Sequence, residues 1–186
     1  MTIIKKYNVI MVYAEGWAIN LIDNTKEYLS LPFNEIEYGK KIFLSRGTLK
    51  TQDFTLCNVI FNKNITIKLN SFSNPYNLCC DSELFLKSCL LGMVAVVKKP
   101  VSVYRYHKNN LILNYAKNIN FIFNNNEYYI NSYEFALNNK IFTKKELYEW
   151  KKRMYFKGIR LSIKLILKNR KYYAILIDIF KVFKKH

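Results

Sequence analysis

The stretch NLCCDSELFLKSCLLGMVAVVKKPVSVYRYHKNN, residues 77–110, decides the fold. It opens with a predicted helix, because Asp81, Ser82 and Glu83 suit a first turn, where N–H groups lack partners and the dipole favours acids. An apolar face follows at helical spacing, made of Leu84, Phe85, Ser88, Cys89 and Leu91. Gly92 then stands where a left-handed C-cap is expected. The pattern predicts a short amphipathic helix.

Two strands are predicted after this helix. Residues 93–97 read Met-Val-Ala-Val-Val, a run of apolar, mostly β-branched residues that is typical of a strand buried on both faces. Residues 98–100, Lys-Lys-Pro, are expected to turn the chain. Val101, Val103 and Arg105 then alternate with Ser102, Tyr104 and Tyr106, which predicts a second strand running into residues 107–110, His-Lys-Asn-Asn.

This order of features resembles the second half of the catalytic domain of family 2 glycosyltransferases, which have the GT-A fold. The resemblance implies that Asp81 is the catalytic base for an acceptor hydroxyl. It also implies that Tyr104, Arg105, His107 and Lys108 bind the donor diphosphate, with His107 as a metal ligand. One position departs from the family pattern, because Cys80 stands where the family usually has an acid.

The resemblance also implies a divalent metal, Mn²⁺ or Mg²⁺, held against the diphosphate by an Asp-x-Asp pair. Oxygen ligands suit both ions. No Asp-x-Asp occurs in the sequence, and the residues before Asp23 are fewer than the roughly 30 of a strand-helix-strand unit. The sequence therefore predicts the acceptor-side half of a transferase over residues 1–117, whose donor half would come from a partner chain.

Shorter elements are predicted before residue 77. Residues 7–13 predict a strand that residues 14–17 are expected to break, and residues 56–61 predict another strand. Residues 42–44 fit a helix or a strand equally well. The fold class is α/β, with a partial GT-A-like mixed sheet, flanking helices and a helical C-terminal region.

Residues 118–186 are predicted to form a basic amphipathic helical tail. Residues 128–137 fit a helix, and Thr143 and Glu146 have the spacing of a capping box. The next helix carries an apolar stripe with Gly158 in its line, made of Leu147, Trp150, Met154, Leu161 and Leu165. A final helix is predicted over residues 171–183. Such helices pack on a core or lie in a membrane interface, and the sequence leaves both readings open.

Composition limits the class of protein. With 186 residues, 51% hydrophobic residues and a formal net charge of +17, the chain forms a core and favours an anionic partner. Cys57, Cys79, Cys80 and Cys89 fit no zinc spacing, and adjacent cysteines favour the reduced state of the cytoplasm. No signal peptide opens the sequence and no run approaches the roughly 20 apolar residues of a membrane span. The expected location is cytoplasmic, at the inner face of the cell membrane if the basic helices bind lipid.

The expected function is that of an inverting glycosyltransferase of bacterial surface polysaccharide or lipopolysaccharide synthesis, in a half-length form. Its partners would be a nucleotide-sugar donor and a glycan or lipid-linked acceptor. The alternative is a non-catalytic basic module that docks on an anionic membrane or on a partner transferase subunit. Sequence-specific nucleic-acid binding is not expected, because no helix-turn-helix, zinc-finger or RNP-like pattern appears.

Overall fold

A computed structural model of the chain describes residues 7–46, 56–70, 79–109 and 119–168. The strands are β1 (Val9–Asn20), β2 (Thr25–Leu29), β3 (Ile36–Tyr38), β4 (Val59–Phe61) and β5 (Met93–Tyr106). The helices are α1 (Gly39–Ser45), α2 (Lys63–Leu69), α3 (Cys80–Cys89), α4 (Ile119–Asn138) and α5 (Lys144–Lys168), and a single 3-10 turn spans Leu56–Asn58. The predicted α/β class is confirmed.

The five strands form one mixed sheet with β1 at its centre. β1 pairs with β5 in parallel along one edge; on its other edge it pairs antiparallel with β4 near its start and with β2 near its end. β3 extends the sheet beyond the first residues of β5. Val94 and Val96 share one face with Met11 and Tyr13 and are nearly inaccessible to solvent, which confirms the buried character predicted for the centre of the 93–97 run.

The turn predicted at residues 98–100 is wrong, because β5 continues through them as one strand of 14 residues. Instead of a turn, the register of β5 against β1 shifts at these residues. β5 advances five residues, from Val97 to Ser102, while β1 advances only two, from Ala14 to Gly16. An insertion of this kind bulges and locally bends one strand without ending it. Pro100 is tolerated there because bulges need fewer ladder hydrogen bonds.

The break predicted at residues 14–17 is also wrong, because β1 runs without interruption to Asn20. Glu15 is buried in the strand and accepts hydrogen bonds from Tyr28 Oη and from the Leu31 N–H. Gly16 lies under the side chain of Asn58, whose Nδ2 would stand 2.5 Å from a Cβ at this position. These long-range contacts explain a polar residue and a glycine in a central strand.

The helix predicted from residue 81 is confirmed as α3, but its end differs from the prediction. The last turn closes with the Leu90 N–H bonded to the Lys87 carbonyl and the Leu91 N–H bonded to the Ser88 carbonyl. The C-cap Leu90 is right-handed and Gly92 has no left-handed backbone, so the predicted left-handed cap is wrong. Leu91 lies past the helix end and is 41% exposed, outside the apolar face to which it was assigned.

Two other local predictions are resolved by the structure. Residues 42–44 belong to α1, so the helical alternative is the right one. The strand expected over residues 56–61 is shorter, because its first half is the 3-10 turn that brings Asn58 over β1. Residues 65–69, whose apolar and polar residues alternate, are helical within α2, which Asn62 caps by accepting from the Asn64 N–H.

The helices α4 and α5 join the same hydrophobic cluster as the sheet and α3. The capping box of α5 is confirmed, since Thr143 Oγ1 accepts from the Glu146 N–H while Glu146 accepts from the Thr143 N–H. Leu147, Trp150 and Met154 are buried as predicted. The side chains of Leu161 and Leu165, and the helix predicted over residues 171–183, lie outside the described residues. Within the described part of the chain, no helix has the length and apolarity needed to cross a membrane.

Candidate functional site

Asp81, the expected catalytic base, lies in the first turn of α3 and is half-buried. Its Oδ1 accepts a hydrogen bond of 2.7 Å from the Ser82 N–H. This local bond fixes the carboxylate at the positive end of the helix dipole and uses one of its two oxygens. A carboxylate held in this way has the chemistry of a proton acceptor for a hydroxyl group.

The two cysteines before Asp81 are not nucleophiles in this setting. Burial raises the pKa of Cys79 to about 12, with the Asp81 charge adding to the effect. The pKa of Cys80 is raised by the same two causes, burial first. Both thiols are therefore protonated at neutral pH, and the thiolate is the form that attacks carbon or binds metal.

Glu83, two residues after Asp81, has a structural role. Its carboxylate is buried, pairs with Lys87 Nζ at 2.5 Å and accepts from Asn131 Nδ2 at 2.9 Å. Since Asn131 belongs to α4, this acid joins two helices. The spacing of Glu83 and Lys87 by four residues is a sequence signal for the ion pair, but nothing in the sequence indicates the bond to α4.

The four residues expected to bind the donor diphosphate lie at the end of β5, which contains Tyr104 and Arg105, and just after it, where His107 and Lys108 follow. The side chains of Arg105, His107 and Lys108 are exposed, whereas Tyr104 is half-buried with its ring 4.7 Å from that of Tyr106. Successive strand residues point to opposite faces, so Tyr104 and Arg105 do not share a face of the sheet. The exposed cations Arg105 and Lys108 are suited to an anionic ligand.

The structure keeps Asp81 and the Arg105 region apart along the sheet. The ring of Phe85 packs 5.1 Å from that of Tyr13, and Asp81 is one helical turn from Phe85. Arg105 pairs with Ile19, six residues beyond Tyr13 on β1. Six strand residues span about 20 Å and one helical turn can take back at most about 5 to 6 Å of that length, so the offset along the strands is at least about 14 Å. The expected base and the expected diphosphate site are therefore two separate places.

The described residues do not fit the divalent metal that the resemblance implies. Among residues 7–46, 56–70, 79–109 and 119–168, no three side chains of His, Cys, Asp or Glu come together. His107 is flanked in sequence by the cations Arg105 and Lys108, whose charge opposes a divalent ion. The divalent metal stays a prediction and would need ligands from another chain. The proposed reaction has no step through the metal.

Sequence reasoning missed a polar cluster in the middle of the sheet. Glu15 Oε2 accepts from Tyr28 Oη at 2.5 Å, Oε1 accepts from the Leu31 N–H at 2.9 Å, and Lys98 Nζ lies 3.7 Å away. Burial raises the pKa of Glu15, but the two hydrogen bonds and Lys98 outweigh burial and hold it below its usual value. The cluster lies beside a small cleft lined by residues including Tyr13, Phe33, Arg46 and Phe85. Every oxygen contact is explained by strand and loop anchoring, so we assign the cluster a structural role.

Comparison of the chain with family models, with curated proteins and with solved structures gave no match.

Proposed function

We propose that this chain is the acceptor-side half of an inverting, nucleotide-sugar-dependent glycosyltransferase that builds bacterial surface polysaccharide or lipopolysaccharide. The observation that carries the proposal is the position of Asp81. It is a partly exposed carboxylate in the first turn of a helix that the core fixes firmly, since Leu84, Phe85 and Leu86 after it are each 1% exposed. A rigid helix start gives a base the orientation that proton transfer requires.

In the proposed reaction, Asp81 accepts the proton of an acceptor hydroxyl as that oxygen attacks the anomeric carbon of the donor sugar. A new carbon–oxygen bond forms on the face opposite the nucleotide diphosphate, whose own bond to the carbon breaks, so the configuration inverts. The diphosphate leaves with both bonding electrons. Arg105, His107 and Lys108 would offset its negative charge, because cations stabilise charge that develops in a transition state.

Asp81 and Arg105 are at least about 14 Å apart along the strands. This separation limits how much of the enzyme the chain can supply alone. One anomeric carbon must lie next to the base and next to the departing diphosphate. We therefore propose that a partner chain contributes the donor half. The location that follows is cytoplasmic, at the inner face of the membrane that carries a lipid-linked acceptor.

A second candidate function is that of a non-catalytic basic module that docks on an anionic membrane or on a partner transferase subunit. The same separation of Asp81 from the cationic end of β5 favours it, as does the net charge of +17. In that function Asp81 is a helix-start acid without a chemical role.

The deciding experiment measures nucleotide release. Wild-type chain and Asp81→Asn would be incubated with UDP-sugars and GDP-sugars in the presence of bacterial membranes, which supply acceptors and any donor-half partner. We expect the variant to lose transfer by at least about 100-fold, the usual contribution of a general base. Its free energy of unfolding should change by about 1 kcal/mol or less, since only a local bond and a dipole interaction are altered.

Glu134→Gln is the matched control, because it removes an exposed helix carboxylate of α4 and should leave transfer unchanged. Equal nucleotide release by Asp81→Asn and wild type would remove Asp81 from the mechanism. A wild-type chain that is folded but stimulates no release from any donor would contradict the enzyme proposal and favour the docking module.

A further inference from the structure

The helix α5 has two faces of different character, and the described side chains of the inner stripe are buried in the fold. Leu147, Trp150 and Met154 are at most 3% exposed. Trp150 stacks on Phe43 with the ring centres 4.3 Å apart and donates from Nε1 to the Phe43 carbonyl at 2.9 Å. These three residues of the apolar stripe, for which the sequence leaves core packing and membrane contact both open, are thus committed to packing against α1 and the core.

The outer face of α5 carries large apolar side chains that the fold does not bury. Tyr148 is 61% exposed, Phe156 58%, Ile163 38% and Tyr155 37%. At 100° per residue these positions lie on the side of the helix opposite Trp150 and Met154. Aromatic rings on the outside of a helix that already has a complete inner stripe point to a second contact surface.

The charges on this outer face are mostly positive. Lys145, Lys152 and Arg160 fall within the same sector and are exposed, and Glu149 is the one acid among the described residues there. The whole chain has the same sign, with a formal net charge of +17. Aromatic rings flanked by cations match the headgroup region of an anionic bilayer, where rings take the apolar boundary and cations meet phosphate.

We propose that the outer face of α5, defined by Lys145, Tyr148, Lys152, Tyr155, Phe156, Arg160 and Ile163, docks on an anionic membrane surface with the helix axis in the plane of the bilayer. The described part of α5 is too polar to cross the bilayer, so it lies on the surface. The core-packed stripe stays inside the protein when the helix docks. This proposal does not depend on Asp81 or on catalysis.

The test is co-sedimentation of the full chain with vesicles. One set is phosphatidylcholine alone and the other contains about a quarter phosphatidylglycerol; each cation near an anionic surface is expected to favour binding about fivefold. We expect binding to the anionic vesicles, little to the neutral ones, and release by high salt. Equal binding to both sets, or none to either, would overturn the proposal.

The double variant Tyr148→Ser/Phe156→Ser tests the face itself. It should bind anionic vesicles at least about tenfold more weakly, because two exposed rings no longer enter the interface. The matched control is Ile130→Ser/Leu137→Ser, which removes two apolar side chains of α4 that are 54% and 46% exposed and should bind like wild type. Equal loss in both variants, or none in the first, would contradict the assignment to α5.

A second measurement needs no loss of binding. Phe156→Trp adds a reporter to the two native tryptophans, Trp17 and Trp150, of which the latter is buried. Brominated lipid should quench this variant well beyond the wild-type background. Absence of added quenching would overturn the proposal. A dimer in solution that Tyr148→Ser/Phe156→Ser dissociates, while vesicles do not bind, would show that the face meets another copy of the chain and not a membrane.

Discussion

The two halves of the sheet are built from the same strands but stand in different surroundings. In the half that the helices cover, Val94 and Val96 of β5 are 0% and 4% exposed. In the half that projects beyond α3, Val101 and Val103 of the same strand are 57% and 44% exposed. β1 and β5 keep their parallel pairing throughout. The covered half therefore gains its stability from burial, and the projecting half from strand pairing.

The boundary between these halves coincides with Glu15 and the bulge in β5. Glu15 fastens β2 and the following loop to β1 through Tyr28 and Leu31. The candidate base and the candidate diphosphate residues fall on opposite sides of this boundary. The projecting half is held by strand pairing and a few polar anchors, so it is the part of the sheet best able to adjust to a partner chain.

The largest effect is expected from truncation in the covered half. Phe85→Ala should reduce the free energy of unfolding by about 3–5 kcal/mol, because Phe85 is 1% exposed and packs edge-on against Tyr13. Val103→Ala, in the projecting half, should cost about 1 kcal/mol or less. Urea unfolding of both variants measures the difference. Similar costs would mean that Val103 is also buried when the protein folds in solution.

A smaller effect is expected from filling a close backbone contact in the covered half. A Cβ at Gly39 would stand 2.0 Å from the Cys89 carbonyl oxygen and 2.7 Å from that of Gly92. Gly39→Ala should therefore cost about 3 kcal/mol, since backbone atoms of α1 and α3 must separate. Thermal unfolding gives the measurement.

Gly92→Ala is the control for that variant. Its Cβ would meet the Ile10 side chain at 3.1 Å and the Asn8 carbonyl oxygen at an ordinary contact distance of 3.7 Å, and Gly92 does not need a left-handed backbone. Its stability should stay within about 1 kcal/mol of wild type, because the reduced freedom of the unfolded chain offsets the tight contact. A Gly92→Ala variant as unstable as Gly39→Ala would mean that Gly92 does form the left-handed cap that the sequence predicts.

The sequence predicted the elements whose signals are local. α3, the buried centre of the 93–97 run and the capping box of α5 each follow from spacing or β-branched content within a dozen residues, and all are found. The long strands were divided wrongly at Gly16 and Pro100. Their continuity depends on partners distant in sequence, such as Asn58 over Gly16, which no local pattern reports.

The candidate site likewise has one feature that local sequence signals predict and others that depend on distant residues. The position of Asp81 in a first helical turn could be predicted, because caps and dipoles act within one turn. Its distance from Arg105 could not, since it depends on the length of β5 and on the register of β5 against β1. The roles of Glu15 and Glu83 could not be predicted either, because Tyr28, Leu31 and Asn131 reach them only in the folded chain.

A stability effect smaller than those of Phe85→Ala and Gly39→Ala is expected at the boundary itself. Glu15→Gln should cost about 1–2 kcal/mol at neutral pH, because the charge-assisted hydrogen bond from Tyr28 becomes neutral or is lost. The pKa of Glu15 in the folded protein lies below the usual 4.5. Its stabilising contribution is therefore complete above about that pH and disappears as the pH falls through the folded value. The stability gap between wild type and Glu15→Gln should accordingly close in acid.

The partner side of the same bond gives the opposite pH dependence. The bond to Glu15 raises the pKa of Tyr28 above its usual 10.0, so the contribution of the neutral phenol is present below pH 10 and is lost as the pH rises through the folded value. Tyr28→Phe keeps the ring that packs 4.8 Å from Trp17 and removes only the donor. Urea unfolding from acid to alkaline pH should show both arms in wild type and neither in Glu15→Gln. Tyr28→Phe should lose the alkaline arm and keep a reduced acid arm, because the Leu31 N–H and Lys98 still lower the pKa of Glu15. A gap that stays constant with pH would mean that Glu15 does not hold the projecting half through its charge, and the boundary would then rest on the bulge in β5 alone.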